Sequence, residues 1–136
     1  MTRKILVSSA VAAVVAAAGV GALRAQQAAP STKREIVLKQ DLATVPGREV
    51  YMIQVEFPPG SAEIRHSHPG EAFGFLIEGT IESEADGKPT VTLKAGDHFH
   101  IVPGEVHRAV NKSGQTAKAD VVFIVEKGKP FSTPAP

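Results

Sequence analysis

The chain alternates. In "REVYMIQVEF", Tyr51, Ile53, Val55 and Phe57 take every second position, with Met52, Gln54 and Glu56 between them. A period of two puts one set on each face of a strand. Similar short runs precede and follow it: "REIVLKQ", then "EIRHSH", "AFGFLIEG", "TIESEA", "TVTLK", "HFHIV", "VHRAVN" and "ADVVFIVEK". Gly and Pro punctuate them at "PPG", "PG", "DGK", "AGD" and "PGE", and "NKSGQ" is a further turn. Asp86-Gly87 is a strong hairpin signal. No helical periodicity interrupts the series. Short strands at about eight- to twelve-residue spacing predict an all-β antiparallel sandwich or barrel.

Residues 1–25 break this pattern. Arg3 and Lys4 precede an Ala/Val-rich run from Ile5 to Val20, and Leu23-Arg24-Ala25 resembles a cleavage site. That is the layout of a signal peptide. The competing reading is an uncleaved anchor, but alanine inserts weakly and the run is short for a span. Either reading places the remainder outside the cytoplasm, periplasmic or secreted, and cleavage leaves no stable membrane association. The expected organisation is a signal peptide over 1–25, a linker over 26–35, a barrel over 36–127 and a flexible Pro-rich tail over 128–136.

Charge changes meaning once the leader is set aside. The 136-residue chain has a formal net charge of +1, with 15 Lys and Arg against 14 Asp and Glu. Arg3, Lys4 and Arg24 precede Gln26 and no acidic residue does, so the remainder is acidic. It carries no footprint for nucleic acid. The chain has no cysteine, which removes disulfides, thiolate ligands and thiol nucleophiles. About 110 residues suffice for one hydrophobic core.

The chemistry lies in the histidines. All five fall between positions 66 and 107. Side chains two apart on a strand point the same way, so His66 and His68 can grip one ion from neighbouring positions. His107 can reach it from another strand. Imidazole is the commonest metal-ligating side chain, although an isolated HxH pair is also what a polar strand face looks like.

The surrounding residues resemble the two spaced motifs of the cupin family. Gly60, His66, His68 and Gly79 match the first motif; Gly96, Gly104, His107 and Asn111 keep the offsets of the second. The proline of the second motif falls one place late, at Pro103. The likeness covers roughly residues 36–127. It implies a double-stranded β-helix, the jelly-roll-like cupin barrel, binding a divalent metal ion (Fe, Mn, Ni, Zn or Cu) through two histidines and a glutamate of the first motif and a histidine of the second. His66, His68 and His107 carry over. The glutamate does not: its position is Ala72.

Three arrangements are open. Glu71, one residue early, supplies the carboxylate by virtue of the Pro69-Gly70 turn. Alternatively, three histidines and water form the site, as in histidine-ligated catalytic zinc centres. Or the site is decayed and the barrel binds its ligand without metal. His98 and His100 alternate with Phe99 and Ile101; if the histidines face inward, His100 approaches the ion, and otherwise both are surface. Gly74 leaves room for a ligand beside Ala72 or marks a bulge. Phe73, Phe75 and Ile77 are read as packing residues, between subunits if the chain pairs with a second copy. Arg65 and Arg108 are read as outward-facing, and Glu82, Glu84 and Asp86 as a solvated hairpin.

Two functions compete. One is an exported metal-dependent enzyme, of dioxygenase type, acting on a small organic molecule. The other is a non-catalytic barrel that captures a metal or small ligand. A pure scaffold ranks below both. No catalytic residue beyond the candidate ligands stands out, and no Ser/His/Asp set or phosphate-binding loop occurs.

Overall fold

Alternation in the sequence becomes alternation in burial. The structure, a computed structural model, describes residues 28–136; the leader read over 1–25 lies outside the described residues. Ten strands follow one another: β1 (Lys33–Asp41), β2 (Arg48–Phe57), β3 (His66–Ser67), β4 (Glu71–Glu78), β5 (Thr80–Ala85), β6 (Val91–Lys94), β7 (His98–Ile101), β8 (His107–Val110), β9 (Ala117–Glu126) and β10 (Thr133–Pro134). On β2, Ile53, Val55 and Phe57 are buried while Met52 and Gln54 are exposed. On β9, Ala117, Ala119, Val121, Phe123 and Val125 are buried and the residues between them are not.

The strands form two five-stranded sheets, ordered β1-β2-β9-β4-β7 and β10-β3-β8-β5-β6. Every pairing is antiparallel. The inner faces enclose Ile53, Val55, Phe57, Leu76, Ile81, Leu93, Ile101, Val121, Phe123 and Val125. This is the all-β double-stranded β-helix that the strand spacing and motifs imply.

Three local devices hold the frame. Gly74 lies opposite Phe99 on β7, and a Cβ there would sit 1.9 Å from the Phe99 ring. The space beside Ala72 is therefore filled by Phe99, and the glycine serves packing. Gly79 has φ 78°, a left-handed conformation, and a Cβ there would lie 2.7 Å from the Thr116 carbonyl oxygen; only glycine fits both demands. Asn111 is fully buried. Its amide donates to the carbonyls of Phe57 (2.8 Å) and Gln115 (2.7 Å), and its Oδ1 accepts from Ser113 N (2.9 Å) and Oγ (2.7 Å). It ties the β8–β9 turn to the end of β2.

Three expectations change. The run "EIRHSH" keeps only two residues as β3, with an isolated bridge from Ala62 to Val110 ahead of it. β1 starts at Lys33, inside the segment read as linker. The tail read as flexible is laid down against the barrel: Thr133 and Pro134 pair with Ser67 and His66, and Ala135 N donates to Arg65 O at 2.8 Å. The physical reason is Phe131. Its ring packs on Phe123 (4.5 Å between centroids) and Tyr51 (5.3 Å), and that apolar contact anchors a segment whose composition reads as loose. Proline is tolerated because β10 is an edge strand.

Candidate metal centre

Strand register builds the site. His66 on β3 lies directly opposite His107 on β8, and cross-strand partners in an antiparallel pair point to the same face. His68, two residues on, shares that face. The ring centroids are 4.5 Å apart for His66–His107, 4.8 Å for His66–His68 and 5.2 Å for His68–His107. All three residues are buried, and one ring nitrogen from each lies within 4.8 Å of the others.

The second nitrogen of each ring is already committed. His66 Nδ1 lies 2.7 Å from the Ile64 carbonyl, His68 Nδ1 2.9 Å from that of Phe131, and His107 Nδ1 2.9 Å from that of Glu105. A carbonyl only accepts, so each Nδ1 carries the proton and donates it. Nε2 is then the lone-pair nitrogen on all three rings. Such an outer partner fixes tautomer and ring orientation in metal-ligating histidines.

Burial favours the neutral form of His68 and His107. Burial above all, against the opposing pull of the Phe131 carbonyl and with a smaller contribution from the neighbouring His66 and His107, lowers the His68 pKa to about 4. Burial also lowers that of His107. Neutral imidazole is the ligating form, and the three Nδ1 contacts leave each Nε2 as the nitrogen available to a divalent ion.

The walls are apolar. Ile53, Val55, Leu93, Phe99, Phe123 and Phe131 line the cavity beside His68 and His107. Arg34, Glu63, Ser83 and Arg108 are its other polar lining residues, and the first two also border the groove at its mouth. Glu63, whose side chain is 9% exposed, is paired with Arg34 of β1 and accepts from Ala109 N at 3.0 Å. Its carboxylate is near enough to raise the pKa of His68 and His107 against burial. Arg34, Glu63, His66, His68, Phe131 and Pro134 line a groove running outward from this mouth.

The two substitutes for the missing glutamate fall elsewhere. Ala72 is fully buried on the inner face of β4. Glu71 therefore points outward, because the Pro69-Gly70 turn leaves the alternation of β4 intact. Phe99 and Ile101 take the inner face of β7, so His98 and His100 are exposed on the outer one. His100 stacks on Phe73 (4.7 Å, 4°) and lies 3.7 Å from the Glu71 carboxylate. Neither Glu71 nor His100 shares a face with the three buried histidines. Arg65 is paired with Asp86 at the surface as read; Arg108 is bonded to Glu84 at 2.6 Å and part-exposed, but it also borders the cavity.

Sequence reasoning missed Phe131, Glu63 and Arg34. Phe131 carries one legible signal, a lone aromatic in a Pro-rich segment. The other two carry none: their meeting brings β1, at the edge of the first sheet, against the segment before β3.

The family comparison matches the Cupin domain over residues 53–131. No curated protein matches the chain. Among solved structures, it resembles an uncharacterized conserved protein with a double-stranded β-helix domain from Klebsiella pneumoniae subsp. pneumoniae MGH 78578 (23% identity, 78% of this chain and 85% of that one, TM-score 0.63). It also resembles the polyketide cyclase RemF from Streptomyces resistomycificus (23% identity, 79% and 75%, TM-score 0.62). For the DMSP lyase DddQ from Ruegeria pomeroyi DSS-3 the values are 23% identity and TM-score 0.58, with 63% of this chain but only 43% of that one covered. At such identities the likeness is one of fold.

Proposed function

The chain belongs to the cupin family, and from that premise we propose that it is an exported barrel holding one divalent metal ion through Nε2 of His66, His68 and His107. The observation that supports this most directly is the shared commitment of the three Nδ1 atoms to backbone carbonyls. Three buried rings turned to offer the same nitrogen to one point are costly to assemble without a ligand for them. Export rests on the sequence of residues 1–25 and cleavage near Gln26.

The site takes a small organic molecule as ligand or substrate. A bound ion would supply Lewis acidity and open coordination positions. The chain's own residues do the rest: the apolar wall excludes water, and the groove beside Arg34 and Phe131 gives access. Glu63, held by Arg34 and Ala109 N, fixes negative charge at the mouth. On this arrangement we read the protein as a metal-dependent enzyme of oxygenase type. A non-catalytic binding barrel is the second reading, favoured by the absence of a carboxylate at Ala72.

The test is elemental analysis of the purified chain, without added metal, beside His66→Ala, His68→Ala and His107→Ala. Near-stoichiometric metal in the parent and its loss in each variant is expected. A metal-free parent that also fails to take up Fe, Mn, Ni, Zn or Cu overturns the proposal.

A further inference from the structure

The apolar cavity and the groove outside it share one border. Among the described residues, Arg34, Glu63, His68 and Phe131 line both. The candidate ligands straddle that border: His107 lines only the cavity, His66 only the groove, and His68 both. The three imidazoles therefore stand at the mouth, with a chamber of Ile, Val, Leu and Phe side chains on one side and the groove on the other. Glu63 is the one carboxylate among the described residues that lines either space.

Charge at this mouth does not balance once a divalent ion is counted. Three neutral imidazoles leave the ion its full double charge, and on the inner face of β4 the residue is Ala72, which offers nothing to offset it. Glu63 does not make up the difference. Its Oε1 accepts from Arg34 and its Oε2 from Ala109 N at 3.0 Å, so both oxygens are engaged and its charge is answered by the guanidinium. A charge beside an apolar cavity is costly unless it is paired. Arg34, for its part, is only half used. Among the described residues Glu63 is its one bonded partner, reached through Nη2. A guanidinium carries five N–H donors in a planar fork, and those of Nε and Nη1 have no partner among the described residues.

We propose that the small molecule taken by this barrel is an organic carboxylate, whose anionic group is received at the mouth by Arg34 and whose apolar body lies in the chamber beside Phe99, Phe123 and Phe131. The inference rests on the metal reading above and narrows it to one class of ligand. Guanidinium and carboxylate are planar and match in two parallel hydrogen bonds, which fix direction as well as charge. Glu63 is a positioning residue: tied to the β8 backbone at Ala109 N, it holds the Arg34 side chain against the mouth. A neutral molecule of the same shape fills the chamber equally well and leaves both the fork and the charge of the ion unanswered.

Titration of the zinc-loaded, isotope-labelled chain with benzoate, phenylacetate and hexanoate, each beside its neutral amide and followed by backbone amide chemical shifts, tests it. The carboxylates are expected to bind about a hundredfold more tightly than the amides, with shifts at Glu63 and Phe131. Arg34→Gln is expected to lower carboxylate affinity about tenfold and leave the amides unmoved. Arg34→Lys, which keeps the charge and loses the fork, should recover part of that. Ala72→Glu, which offsets the charge of the ion from within, should also weaken the carboxylates about tenfold. Arg34 lies on an exposed edge strand, so its variants read the site even where Ala72→Glu fails to fold. A zinc-loaded parent that does not distinguish carboxylate from amide, or carboxylate affinity unchanged in Arg34→Gln or in a folded Ala72→Glu, overturns this inference alone. Zinc content of the same samples separates it from the reading it rests on: a parent that holds no zinc overturns the metal site and this inference with it.

Discussion

His68 donates its Nδ1 proton to the Phe131 carbonyl at 2.9 Å, across 63 positions of chain. The same residue packs its ring 5.4 Å from His68 and 4.5 Å from Phe123. One segment therefore both orients a candidate ligand and closes the cavity wall beside it.

Removing residues 129–136 should leave the barrel folded and weaken metal binding. Loss of an outer partner to a ligating histidine typically costs about 10- to 100-fold in affinity. Titration calorimetry with Zn(II) or Mn(II) measures it, and circular dichroism reports the fold. Phe131→Ala, which keeps the carbonyl, should cost less than the truncation. Equal affinity in truncated and full chains would show that Phe131 does not position His68.

The buried Ala72 faces inward and Glu71 outward, so the two should respond differently. Ala72→Glu offers a fourth ligand and should shift preference towards Mn(II) or Fe(II), for which carboxylate is the harder donor. Glu71→Ala should change metal affinity little. A clear loss in Glu71→Ala would mean the β4 alternation is not what decides the ligand set.

Stability should fall with acid in a defined window. The folded pKa of His68 is about 4, below its ordinary value of 6.5 because burial disfavours the charged ring. The unfolded chain thus takes up a proton first, and stability is fully present above about pH 6.5 and declines as pH falls towards 4. For His68 the loss is roughly 3 kcal/mol, and His107, shifted the same way by burial, adds to it. Urea midpoints at pH 8 and pH 4.5 measure the effect, which should shrink in His68→Gln.

Gly74→Ala should destabilise the barrel by about 1–3 kcal/mol, because the new Cβ meets the Phe99 ring and overpacks the core. Phe99→Leu should relieve much of that in the double variant. Chemical denaturation of the single and double variants reads the coupling. A fully additive result would place the strain elsewhere.

Strand alternation made much of this legible. Ile53, Val55 and Phe57 face inward as their period requires, and the shared parity of His66, His68 and Ala72 places all three side chains inside. The spacing of His107 brings it to the same point. What alternation could not decide was the sense of β7, where histidine and apolar sets are equally regular; Gly74 decides it by admitting the Phe99 ring. Nor could composition find β10. Two residues of pairing and the contacts of one aromatic ring, Phe131, hold that segment, and neither leaves a periodic trace in "GKPFSTPAP".

That late anchor bears on the order of assembly. His68 finds its orienting partner only once Phe131 has emerged and β10 has docked on β3. A nascent chain that lacks its closing segment carries His68 without its orienting partner, while His66 and His107 keep theirs, and binding of this kind is coupled to folding. If the chain is exported as proposed, the ion would be selected from the supply of the compartment where this segment docks, not from the one where synthesis begins.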